Sequence, residues 1–307
     1  NPRRFLDGLG GAPLHTTGSG RLEWAQRVAD PTNPLTPRVI ANRVWQQVFG
    51  QGLVTTVNDF GVMGTAPSHP ELLDHLARDL IEQEWSIKSL VRKMVLTRTY
   101  RMSTNPSVAA LAQDPGNRLL QHRSIRRLDA EAVRDHLLAA SGALDRSLFG
   151  ESVPAFVDSH PDSRAKPMLP GPVDGAARRS VYQELRRNFL PPLLTAFDMP
   201  NGTEPIGVRH STNVPAQSLA LLNDPFVHQQ AEHWAQTLTT SSQSLEDRIN
   251  QMHLVAFARP ATEAEFTWAT DVLQAMADAH NTEPDALEPW TDLCHLMFNR
   301  KEFIYLL

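Results

Sequence analysis

Apolar residues recur along the chain mostly three and four positions apart, the spacing of one helical face, and the stretches that break this rhythm are rich in proline and glycine. Leu22, Ala25, Val28 and Ala29 mark a first helix that stops at Asp30-Pro31. Thr36 as cap and Pro37 in the first turn open a second helix, with Ile40, Val44, Val48 and Phe49 as its buried stripe before Gly50. Gly50, Gly52, Gly61 and Gly64 then punctuate an irregular segment. Ser68-His69-Pro70-Glu71 reads as a capping box for a helix through Leu72, Leu73, Leu76, Leu80 and Ile81. Ser86 caps the next, through Leu90, Val91, Met94 and Val95.

A further helix begins near Leu128 and carries Val133, Leu137, Leu138 and Leu144. Residues 147–177 hold five prolines and several glycines, too many breakers for a regular element longer than a short strand. Arg178 to Phe189 reads as a strand turning into helix or as helix throughout, and helix is the expectation. From Val214 the helical rhythm returns: Asp224 caps a helix with Pro225 in its first position, and later helices centre on Leu245 to Phe257, Glu263 to Ala279 and Leu287 to Phe303. Thr262 is a natural cap, with Glu263 and Glu265 suited to the positive end of the helix dipole. The expected fold class is mainly α, a multi-helical single domain of about a dozen helices with a long irregular Pro/Gly-rich insertion and at most a short strand pair. Residues 1–307 form either one domain or two lobes, 1–146 and 178–307, joined by 147–177.

Composition narrows the function classes. With 41% hydrophobic and 21% charged residues over 307 positions, the chain can bury a sizeable core behind a polar surface. A net charge of -5 gives no global attraction to nucleic acid. No apolar run approaches the ~20 residues of a membrane span, and any export signal is expected outside residues 1–307. The single cysteine, Cys294, excludes an intrachain disulfide, a CxxC zinc pair and a CxxCH haem attachment, and its apolar surroundings suit a buried free thiol. The expectation is therefore no cofactor and no metal held by this chain. Six tryptophans fall mostly on apolar stripes and are expected in the core.

Candidate chemistry gathers in four places. Asn42 and Arg43 share a helix with the apolar stripe, and Arg38 and Asn42 stand one turn apart. They either tether the following loop or, through Arg43, grip a carboxylate, sulfate or phosphate. Asp59 sits in Asn58-Asp59-Phe60-Gly61, which matches the kinase magnesium tripeptide in letters only, with no glycine-rich phosphate loop to accompany it. His69 and His75 lie about 120° apart around a helix, which argues against a shared metal. Arg127, Glu131, Arg134 and Asp135 recur at intervals of three and four, as an ion-pair lattice or, if buried, as a site in which one of Glu131 and Asp135 raises the other's pKa, as a general acid would need. Arg179, Tyr182 and neighbouring arginines form a basic face with an aromatic, and Arg209, Asn213 and Gln217 supply polar groups of the kind that line a pocket floor.

The strings NPLTPRVIANRVWQQVFGQGLV, NDFGVMGTAPSHPELLDHLA, SIKSLVRKMVLTRTYR, RRLDAEAVRDHLLAASGALD, RRSVYQELRRNFLPPLLTAFDMPN, VPAQSLALLNDPF and NRKEFIYLL resemble, in order and over nearly the whole chain, the planctomycete-specific domain of unknown function 1553. The resemblance implies the C-terminal part of a large exported protein, periplasmic or at the cell surface, whose neighbours on the same polypeptide are a cytochrome c domain carrying haem and a second helical domain. Members of that family often carry a cysteine shortly before the arginine matching Arg209; here the stretch is Glu204-Pro205-Ile206-Gly207-Val208-Arg209, without thiol chemistry. Three expectations follow. The first is a helical accessory module that docks with these neighbours, with polysaccharide as a ligand. The second is the catalytic or substrate-binding domain of a haem-coupled oxidoreductase acting on carbohydrate, and the third is a carbohydrate-binding module without turnover.

Overall fold

The computed structural model describes residues 4–9, 11, 13–14, 18–154, 156, 171–187, 189–241 and 243–307. It is mainly α-helical, with one two-stranded antiparallel sheet of two residues per strand among the described residues. The chain divides into two compact units, Asn1–Ile125 and Arg126–Leu307, so the stretch 147–177 falls inside the second. Most of the proline-rich middle of that stretch lies outside the described residues.

In the first unit, α1 (Arg21–Val28) precedes α2 (Thr36–Phe49), which packs against α3 (Pro70–Glu82) and α4 (Ile87–Val95); α5 (Val108–Gln113) completes the helices. Ala41 and Trp45 of α2, Leu73, Leu76 and Leu80 of α3, and Leu90 and Met94 of α4 share one core, as their three- and four-residue spacing predicts. Two caps differ from expectation. Thr36 lies inside α2, and the side chain of Asn33 accepts from the backbone N–H of Leu35 and Thr36 at 3.0 and 3.3 Å. The box at Ser68 does not form: the Ser68 hydroxyl bonds His69 Nδ1 at 3.0 Å, leaving His69 at the N-cap of α3 without a side-chain cap. Ser86 does cap α4, accepting from Ser89 N at 3.2 Å. Trp24 leaves the expected core and is 51% exposed on α1, a helix with no buried residue.

In the second unit, β1 (Arg126–Arg127) leads into α6 (Ala130–Ser141), followed by α7 (Pro192–Ala196), α8 (Pro215–Asn223), α9 (Pro225–Thr239), α10 (Leu245–Phe257), α11 (Glu263–His280), α12 (Leu287–Phe298) and α13 (Lys301–Ile304). After α13, β2 (Tyr305–Leu306) pairs antiparallel with β1. Helix α12 packs along α9 and against α11, and α6 closes on α9. Leu137, Val227, Trp234, Trp290 and Phe298 meet in this core, with Trp234 stacked on Phe298 at 5.3 Å. Cys294 is buried there, and burial pushes its thiol up. Asp224 caps α9 through Phe226 N at 2.9 Å, and Thr262 with Glu265 forms a full capping box on α11. The expected helix over Arg178 to Phe189 is absent: Ser180–Tyr182 makes one 3-10 turn, and the neighbouring backbone bridges to Asp145 and Val153.

Candidate functional site

The first unit holds Asn42, Arg43, Asp59 and His69. Asn42 is fully buried on α2, where its amide donates to Val54 O and accepts from Val54 N, both at 2.9 Å. The side chain replaces a backbone partner that the irregular segment lacks. Gly52 belongs to the same joint, because a Cβ there would sit 2.5 Å from Val54 O and 2.9 Å from Asn42 Nδ2. Arg38 turns away from Asn42 to bond Asp74 at 2.7 Å. Asp59 Oδ1 accepts from Gly61 N at 2.8 Å, and its carbonyl accepts from Thr56 Oγ1, so it shapes a turn. Arg43 is exposed, with no side-chain bond to a described residue. A pocket of about 290 Å³ in this unit is lined by Trp45, Thr55, Thr65, Ser68 and Arg118 and by none of the four.

The second unit holds the other nine candidates. Side chains three and four apart do not pair with one another; the adjacent Arg134 and Asp135 stand 3.5 Å apart and both turn to the segment around Ser180, while Arg127 and Glu131 reach other distant segments. Arg127, on β1, gives Nη2 to Asp198 Oδ2 at 2.7 Å and to Phe197 O at 3.0 Å, and Nη1 to Thr212 O at 2.8 Å. Asp198 also accepts from Thr212 N at 2.7 Å, while Gln217 donates to Thr212 O at 3.1 Å. Burial disfavours the Asp198 carboxylate, but the Thr212 and Arg127 bonds outweigh it and hold its pKa below the usual value. This group fastens the 197–212 loop to β1. Arg134 is buried and donates to the carbonyls of Arg178 and Asp174 and to Ser180 Oγ.

Glu131, Asp135, Arg179 and Arg209 come together around a cleft of about 470 Å³. Arg209 grips Glu131 bidentately, Nη1 to Oε2 at 2.6 Å and Nη2 to Oε1 at 2.9 Å. Asp135 accepts from Ser180 N at 2.7 Å and stands 3.5 Å from Arg179 Nε. Leu194, Met199, Val181 and Leu185 also line the cleft, beside the polar Asp129, Gln183 and Glu184. Burial works against ionisation of Glu131, yet Arg209 more than offsets it and the carboxyl sits below its ordinary value. Of the Glu131 and Asp135 pair, Glu131 is not the raised carboxyl: the guanidinium of Arg209, bonded to both its oxygens, favours its charged form.

The basic face expected around Tyr182 is dispersed. Arg178 lies over the Tyr182 ring at 4.2 Å and donates to Phe149 O at 2.7 Å, while Tyr182 Oη accepts from Phe149 N at 2.9 Å. These contacts brace the start of the 147–177 stretch. Asn213 is exposed and its side chain touches no described partner. Ser180, Gln183 and Asp198 were not among the candidates, and no local period marks them, because their partners lie in distant, irregular segments.

Among the described residues no group of three or more His, Cys, Asp and Glu side chains could hold a metal ion, and no helix is long and apolar enough to cross a membrane. A family model described as PSD1, protein of unknown function (DUF1553), matches residues 20–273. Neither the curated proteins nor the solved structures give a match.

Proposed function

The chain belongs to the PSD1 family (DUF1553), and from that premise we propose that it is a non-catalytic helical accessory module of an exported cell-envelope protein. In this reading it docks with a c-type cytochrome domain and a second helical domain of the same polypeptide, and it holds polysaccharide in the cleft between Glu131–Arg209 and Asp135–Arg179. The haem belongs to the neighbouring domain; the lone cysteine here is buried in the α9–α12 core.

The supporting observation is the state of the charges around the cleft. Glu131 is held by two short bonds to Arg209, and Asp135 by Ser180 N. General acid–base work near neutral pH needs a group titrating near that pH; Glu131 is displaced the other way. Paired charges beside apolar side chains are, by contrast, suited to binding: hydroxyls of a sugar meet fixed donors and acceptors while its ring meets the apolar part of the lining. A second reading, the substrate site of a haem-coupled oxidoreductase acting on carbohydrate, draws on the cleft's volume of about 470 Å³, enough for a saccharide unit.

A thermal-shift series over neutral, uronic and sulfated polysaccharides, with and without the cytochrome domain, tests the proposal. The expected result is a rise in melting temperature with the partner domain and with at least one glycan, with the haem staying oxidised. Haem reduction on adding a sugar would transfer the cleft to the second reading. No shift with either addition would remove the docking and binding roles together.

A further inference from the structure

The first unit carries its charge unevenly. Residues 86–125 hold seven lysines and arginines against one acidic residue, Asp114, in a chain whose net charge is -5. Lys93 is paired with Asp79. Asp114 folds onto its own loop, accepting from Leu119 N at 2.6 Å and Arg118 N at 3.0 Å, with the Arg118 charge beside it. Arg101 and Arg123 donate to neutral acceptors, Leu96 O at 3.4 Å and Tyr100 Oη at 3.3 Å, and Arg123 lies over the Tyr100 ring at 4.5 Å. Arg98 is exposed, with no side-chain bond to a described residue. Three guanidiniums thus stand near one another in sequence and fold with no carboxylate bonded to them among the described residues.

Next to these cations the chain makes an excursion whose base is closed by a bond from Arg123 N to Ser103 O at 3.0 Å. It carries α5, capped by Ser107 through Ala110 N at 3.1 Å. The helix reads VAALAQ, without a charged side chain, and it has no buried residue. Val108 and Leu111, one turn apart, are 86% and 46% exposed, and Leu119 on the return arm is 64% exposed. Leu120 beside it packs onto the α2–α3–α4 core and anchors that arm. A helix on a globular surface ordinarily buries its apolar stripe; here the stripe is left in water, and apolar side chains gathered in this way mark a contact surface.

The combination selects the occupant. A sulfated polysaccharide would use the arginines and leave Val108, Leu111 and Leu119 in water, and an acidic protein would need a hollow shaped to α5. An anionic lipid surface uses both sets without a shaped hollow: its headgroups meet the cations while the interface takes up the apolar side chains. A helix of six residues is suited to lying in that interface and not to crossing it.

We propose that this part of the first unit docks on an anionic lipid surface, with α5 lying in the interface, Val108 and Leu111 below the headgroups, and Arg98, Arg101 and Arg123 against them. The proposal concerns the first unit alone and does not rest on the reading of the cleft in the second.

Co-sedimentation of the intact chain with phosphatidylcholine vesicles, with and without phosphatidylglycerol, tests it. The chain should bind the anionic vesicles at least about tenfold more tightly at low salt and lose that preference as ionic strength rises. Arg98→Gln with Arg101→Gln should weaken binding to them by about tenfold or more. Val108→Ser with Leu111→Ser, both at exposed positions, should keep the melting temperature near wild type and weaken binding about fivefold. Cys294 is fully buried, so a thiol-reactive, polarity-sensitive dye reports from Leu111→Cys alone. Its emission should shift to the blue on anionic vesicles, whereas the same dye at Leu254→Cys, an exposed leucine of α10, should not respond. No binding to anionic vesicles, equal binding to both kinds, or unchanged binding in the serine variant would each overturn the assignment. A dye at Leu111→Cys that responds to heparin and not to vesicles would overturn it in favour of a sulfated polysaccharide.

Discussion

Around Arg259 the charges close on one another: its guanidinium holds Glu265 at 2.8 and 2.8 Å and Glu302 at 2.7 and 2.6 Å, and Arg300 adds a bond to Glu265 at 2.9 Å. Around Arg209 the pairs are of the same chemistry, bidentate to Glu131 at 2.6 and 2.9 Å, but they border open space. The first set ties Arg259, two residues past α10, to the starts of α11 and α13, and its remaining bonds go to Pro260 O and Thr262. The second set spans residues 131 and 209 across the mouth of a cleft. An ion pair is therefore a fastening or a binding edge according to what lies on its far side, which is why spacing along α6 could not distinguish the two.

The largest expected effect falls on the fastening. Arg259→Gln leaves Glu265 and Glu302 facing each other without the cation between them. The loss should be about 2 kcal/mol, tempered by partial exposure of the arginine. Differential scanning calorimetry should show a melting temperature lower by roughly 5 °C, with glycan uptake by the native protein unchanged. If ligand uptake falls while stability holds, the two networks are not separable in the way their geometry indicates.

A smaller effect comes from the histidine behind that fastening. His253 is fully buried, neither ring nitrogen has a hydrogen-bonding partner among the described residues, and Nδ1 is 3.8 Å from Glu265. Glu265, Arg300, Arg259 and Glu302 surround it; burial lowers its pKa most, and the two arginines add to that against the two carboxylates. The unfolded chain thus takes up this proton at higher pH than the folded one. Its contribution to stability is present above about pH 6.5 and is lost as pH falls below that toward the depressed folded value. His136, also lowered by burial, adds to the same window, whereas the lowered carboxylates Glu131, Glu265 and Asp198 act only below about pH 4.5. His253→Leu should leave stability at pH 7 equal or higher by up to about 1 kcal/mol. Urea unfolding measured from pH 7 to pH 5 should show a shallower slope than wild type; an unchanged slope would assign the titration elsewhere.

How much of this was legible follows from where the information sits. The bounds of α10, the Asp224 cap of α9 and the Thr262 cap of α11 are written in a few adjacent residues, and they appear where the sequence places them. Ser68 carries the same local signature and fails, because its hydroxyl is taken by His69 and its backbone N–H by Leu53 O at 2.8 Å. Arg178 to Phe189 has helical spacing, but Glu184 N bonds Val153 O at 2.8 Å and Arg178 packs on Tyr182, so tertiary partners override the period. Arg209 and Glu131 are 78 positions apart, and Arg134 reaches Asp174 across 40. The sequence identified four of the cleft's charged groups by residue type, while their pairing and the sign of the shift on Glu131 arise only when the segments around Ser180 and Arg209 come to α6.

The smallest structural cost and the sharpest test of the comparison meet at Glu131→Gln. The glutamine still accepts one bond from Arg209, and with both original partners about a third exposed the loss should be about 0.5 kcal/mol, a shift of 1–2 °C or so. What changes is the cleft: one negative charge disappears and Arg209 keeps an unpaired edge facing it. Binding of a sulfated or uronic polysaccharide should tighten severalfold at low salt and lose that gain as ionic strength rises, while a neutral glycan stays within about twofold. The same removal of a carboxylate at Glu265 would cost stability and gain no ligand, since Arg259 keeps Glu302 and Pro260 O and Arg300 stays over the Phe257 and Trp268 rings. If Glu131→Gln behaves like a weakened fastening, with lower stability and unchanged anionic-glycan binding, then the Arg209 pair is a lock that happens to stand beside a cleft, and the binding role belongs elsewhere.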